Sequence, residues 1–147
     1  MVSIKVLAVL GTLSFVSNAA LAKDVIHKMP IELAMKTPDA KAKLGKDIKY
    51  FFKGQKHPAI AKDLGEFVSN RKTNALNKDD ITACNWVFLS VMISFRDRVK
   101  KMGGDAVVDL RSYYKKNELK QGTTFECATG TVIAGAALKG RVVKFKK

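Results

Sequence analysis

Acidic residues are scarce in this chain: 13 Asp and Glu stand against 27 Lys and Arg in 147 residues, a net charge of +14. Cysteine is scarcer still, with only Cys84 and Cys127. That rules out a disulfide-dense scaffold and a four-cysteine zinc cluster. Only His27 and His57 could complete a zinc site, and both would be needed. There is no CxxC, which weakens a redox pair. No GxxxxGK[ST] or GxGxxG is present to cradle phosphate, and no GxSxG to seat a nucleophilic serine. A Ser-His-Asp triad would have to recruit His57 from a loop. Asp79 and Asp80 are explained by a helix start, and Asp105 and Asp109 by the turns flanking a strand. Neither catalysis, a cofactor nor a metal is expected. Long repeats and low-complexity linkers are also missing.

What is present begins with a leader. Lys5 is its one charge, Val6 to Val16 its apolar core, and Ala20-Leu21-Ala22 a small-x-small cleavage site. Residues 1–22 therefore read as a secretory signal peptide cleaved after Ala22. The run is too short for a stable transmembrane anchor, and no cysteine lies near it for lipid attachment. A periplasmic location follows as the expectation. Residues 23–45 read as a loose N-terminal leader with a short helix starting at Thr37-Pro38-Asp39, and residues 46–147 as the folded domain.

The stretch from Asn77 to Leu110 organises that domain. Cys84, Val87, Phe88, Val91, Met92, Phe95, Val99 and Met102 recur at spacings of three and four, one apolar face of a long helix. Asn77 is the expected N-cap, and Gly103 or Gly104 the left-handed stop. Trp86, Leu89 and Ile93 fall nearly opposite that face. They are covered by another segment or form a partner-binding patch. Ile48, Tyr50 and Phe52 alternate along a strand over Asp47–Lys53. Further β-rich runs span Phe67–Thr73, Ala106–Tyr113, Thr123–Val132 and Arg141–Phe145. Ile133–Gly140, with two glycines, fits a bulged strand or a turn. The order predicts an α+β fold: an antiparallel or mixed sheet of about five strands packed by one long helix.

An exported chain with two cysteines favours a Cys84–Cys127 disulfide between helix and sheet; free buried thiols are the alternative. The basic surplus clusters at Arg111, Lys115 and Lys116 around Tyr113 and Tyr114, and again at Lys139, Arg141 and Lys144. Basic residues among tyrosines suit single-stranded nucleic acid, but none is expected outside the cytoplasm. The polyanions there are lipopolysaccharide, anionic lipid headgroups and wall polymers. A merely cationic, soluble surface is the plainer account.

Two sets of residues carry a resemblance. Phe95-Arg96, Val99-Lys100 and Met102-Gly103-Gly104-Asp105-Ala106-Val107-Val108 resemble the helix-then-GGxAVV core of YbjQ-like domains and of the Rcs stress-sensing outer-membrane lipoprotein. Cys84-Asn85-Trp86, Phe125-Glu126-Cys127 and Ala137-Leu138-Lys139-Gly140 are similar to a set of small exported Gram-negative proteins. These often carry the name "excinuclease ATPase subunit", although this chain has no ATP loop. The resemblance implies an α+β fold and an envelope location, and it supplies no catalytic residues. The expectation is a non-enzymatic envelope protein-interaction module using Trp86, Leu89 and Ile93, or alternatively a cationic binder of envelope polyanions.

Overall fold

The computed structural model describes residues 24–147, so the expected signal peptide and its expected cleavage after Ala22 lie outside the described residues. The fold is α+β: a seven-stranded mixed sheet packed against one long helix. Its hub is the last strand, β7 (Ile133–Phe145). Along one side β7 pairs antiparallel with β3 (Ile60–Asn74) over almost its whole length. On the other side its C-terminal half pairs with β4 (Ala106–Tyr114), and its first residues pair with β6 (Thr124–Thr129). The Ser112 hydroxyl accepts from the Glu126 amide at 3.0 Å where β4 and β6 diverge. The short edge strand β2 (Lys49–Phe52) runs parallel to β4, and β5 (Asn117–Glu118) folds back on β4.

The ambiguous Ile133–Gly140 stretch is thus continuous strand. Gly140 does not bend it. A Cβ there would lie 2.8 Å from Leu110 Cδ2 and 2.8 Å from Val107 Cγ1. The glycine makes room for its neighbours' side chains.

The helix α3 (Asp80–Met102) carries the expected stripe: Cys84, Val87, Phe88, Val91, Met92, Phe95 and Val99 are all buried. Its start differs from expectation. Asp79 is the N-cap, its carboxylate accepting from the Thr82 amide at 2.7 Å, while Asn77 turns the chain at φ +59°. Asparagine tolerates the left-handed region, so it serves the turn and leaves the cap to aspartate. Gly103, at φ +68°, ends the helix as anticipated. Among the described residues no helix is long and apolar enough to cross a membrane.

The N-terminal segment departs most from its sequence reading. β1 (Val25–Pro30) is no loose leader but a strand paired antiparallel with β6. Its apolar residues do not alternate, with Val25, Ile26 and Pro30 exposed beside half-buried His27 and Met29, and its partner lies far along the chain. Two short helices follow, α1 (Ile31–Met35) and α2 (Pro38–Leu44), the latter capped by Thr37. Ile31, Ala34, Ala40 and Leu44 add to the core over α3.

The disulfide joins Cys84 on α3 to Cys127 on β6, with both residues fully buried. Beside it the Phe88 and Phe125 rings lie 4.6 Å apart. Closing a loop with a sequence separation of 43 stabilises the fold by about 4 kcal/mol in the chain-entropy model. A buried disulfide fits an exported protein.

Candidate functional site

The sheet face away from α3 holds the first candidate. Strand alternation places Lys139 and Arg141 there, between the core residues Leu138 and Val142. Arg111 lies beside them and is only 6 % exposed. Its guanidinium donates to Glu118, to Asp109 Oδ2 at 3.1 Å and to Glu66 Oε2 at 3.2 Å. Lys139 Nζ lies 3.2 Å from Glu66 Oε1 and 4.8 Å from the Tyr113 ring centroid. Arg141 pairs with Asp63 at 2.8 Å and reaches Glu66 at 3.7 Å. Three cations therefore meet four carboxylates.

A local distortion brings Asp109 into this cluster. The β4–β7 register shifts between Val108 and Arg111, and Asp109 adopts φ +55°. Arg111 also donates to the Asp109 carbonyl at 2.9 Å, which holds the bulge. Burial pushes the Glu66 carboxyl up, but the hydrogen bonds and charges of Arg111 and Lys139 outweigh it and hold its pKa below the ordinary value. The hydrogen bond from Arg111 likewise lowers Glu118.

This alters the reading of the basic surface. Arg111 was expected to face a polyanion, yet its donors are consumed within the chain. Lys139 and Arg141 are largely neutralised in the same way. The sequence reading missed Asp63 and Glu66 because it started β3 at Phe67. The strand reaches back to Ile60, but a register shift between Asp63 and Gly65 breaks the alternation there.

Other lysines stay uncompensated. Lys115 and Lys116 form the exposed turn between β4 and β5, both left-handed at φ 49° and 63°. At the far end of the sheet Lys62 on β3 stands directly opposite Lys144 on β7. Like charges directly opposed across strands destabilise a sheet, so the fold gains nothing from the pair. Lys146 is tied alongside through its amide to the Ala59 carbonyl. Among the described residues none of Lys62, Lys144 and Lys146 has a carboxylate within 4.0 Å. Close by, His57 stacks on Phe145 with centroids 6.2 Å apart.

The second candidate is the outer face of α3. The structure covers much of it with α1 and α2. Leu89 is buried in the core, at 3 % exposure, and so is not itself a contact surface. Trp86 and Ile93 are half-buried against that core. Trp86 lines a groove of about 220 Å³ with Thr37, Pro38, Asp39, Thr82, Asn85 and Leu89. Lys43 Nζ sits 5.5 Å from its ring centroid.

The two histidines and two cysteines do not assemble. The thiols are spent in the disulfide. His27 Nε2 lies 2.8 Å from Thr129 Oγ1 and 3.2 Å from Asp80 Oδ2, tying β1 to the start of α3. His57 is at the other end of the sheet. Burial pushes the Tyr50 hydroxyl up to about 12, and it has no hydrogen-bond partner among the described residues. No family model matches the chain, and no curated protein or solved structure matches it either.

Proposed function

We propose that this is an exported, periplasmic, non-enzymatic domain that works by contact with an envelope polyanion such as lipopolysaccharide. The Lys62–Lys144 pair, with Lys146 beside it, carries this reading: a like-charged pair that costs the fold and meets no carboxylate suits an anionic partner. The internal neutralisation of Arg111, Lys139 and Arg141 moves the contact away from the sheet centre, to this end and to the Lys115–Lys116 turn. The resemblance to small exported envelope proteins agrees with the location.

Retention on immobilised lipopolysaccharide tests the reading. The wild type should be held at low salt and released as salt screens the contact. The Lys62→Ala/Lys144→Ala/Lys146→Ala variant should elute at distinctly lower salt. Failure of the wild type to be retained at low salt sinks the reading. A protein contact through Trp86 is the second reading, favoured by the half-buried ring lining its groove. It predicts that Trp86→Ala loses a captured partner while keeping a native unfolding transition; loss of that transition makes Trp86 core.

A further inference from the structure

Eight large apolar side chains are exposed among the described residues, and six of them lie at the end of the sheet opposite Lys62 and Lys144: Val25, Ile26, Leu76, Ile81, Val132 and Ile133. Their exposures run from 47 % to 64 %. Backbone pairing brings their segments together. Asn74 pairs with Ile133, and the Ala75 amide donates to the Val132 carbonyl at 2.7 Å. Val25 and Ile26 pair with Thr129 and Ala128, just before that turn. The His27–Asp80 contact draws in the first turn of α3, where Ile81 stands. Scattered exposed aliphatics need no explanation, but a gathered set marks an interaction surface.

We infer that this apolar end docks on an anionic lipid bilayer. The composition distinguishes lipid from protein. Protein hot spots favour Trp, Tyr and Arg, and protein interfaces are depleted in Lys. The large exposed apolar residues at this end are Val, Ile and Leu, without an aromatic, and Lys28, Lys72 and Lys78 stand around them. None of these three has a carboxylate within 4.0 Å among the described residues. Two of the nearby acids are engaged locally, Asp79 capping α3 and Asp80 facing His27, and only Asp24, beside Gly130, is left open. Aliphatic side chains ringed by lysines suit an apolar interface below anionic headgroups. The inference rests on different residues from the polyanion reading and stands or falls separately.

Cosedimentation of the purified protein with vesicles tests it, using phosphatidylcholine alone and phosphatidylcholine mixed with phosphatidylglycerol. The mixed vesicles should bind the protein more tightly than the neutral ones. Leu76→Ser/Val132→Ser, two exposed positions outside regular structure, should weaken that binding about tenfold or more. Lys72→Ala/Lys78→Ala should weaken it only on the anionic vesicles. Lys62→Ala/Lys144→Ala should bind vesicles like the wild type, even where it loses lipopolysaccharide. An unchanged near-ultraviolet circular dichroism spectrum confirms that each variant is folded. Absence of vesicle binding, or binding unaltered by Leu76→Ser/Val132→Ser, overturns the inference. Binding carried by Lys62 and Lys144 instead also overturns it.

Discussion

The two faces of the sheet are held by different forces. Under α3 the contact is apolar and closed by a covalent bond; Phe88, Phe95 and Phe125 are fully buried there. On the open face Arg111 gathers carboxylates from β3, from the β4 bulge and from β5. The first face tolerates any shape-filling apolar set. The second depends on each charge finding its partner, because a buried cation without one is costly. A small, strongly cationic domain can thus bury an arginine by assigning it three of its thirteen carboxylates.

Breaking the covalent side of this comparison should have the largest effect. Cys84→Ala/Cys127→Ala should lower stability by about 4 kcal/mol, read as a lower urea midpoint. The wild type in reductant plus denaturant should converge on the variant's curve. A variant as stable as the oxidised wild type would show that packing alone holds α3 to the sheet.

Arg111→Ala attacks the other face. It leaves Asp109 and Glu118 without their cation and Glu66 with only Lys139 and Arg141, and should cost about 2 kcal/mol. Acid titration sharpens the contrast. The folded-state pKa values of Glu66 and Glu118 are depressed. Their stabilisation is therefore fully present above the ordinary glutamate value of 4.5 and is lost as pH falls through the lower folded values. Arg111→Ala should flatten that acid limb of stability against pH, whereas the cysteine variant should keep it. An unaltered acid limb in Arg111→Ala would assign the loss to other carboxylates.

The smallest expected effect comes from the helix start. Asp79→Ala removes the side-chain cap on the Thr82 amide and should lower the urea midpoint slightly. Asn77→Ala should cost less, by losing only a favourable left-handed turn residue. The reverse order would restore Asn77 as the principal stop to the chain before α3.

These outcomes parallel what was legible in the sequence. The α3 stripe, its glycine stop, the alternation of Ile48, Tyr50 and Phe52, and the disulfide could all be read directly, because each depends on local spacing or on compartment. The charged network could not. Arg111 meets Glu66 from 45 residues away and Arg141 meets Asp63 from 78 residues away, and charge carries no periodicity that announces a partner. The same limit explains why Arg111, Lys139 and Arg141, part of a basic surplus in sequence, meet acids in space. It also explains why β1 looked loose: a strand whose apolar residues do not alternate shows itself only through the partner it pairs with.

The position of β7 in the chain has a consequence for biogenesis. Three strands await the one that is made last, so a polypeptide still being synthesised cannot close its sheet. Such a chain stays open until β7 appears. That order is compatible with export of an unfolded polypeptide, which the buried disulfide also fits.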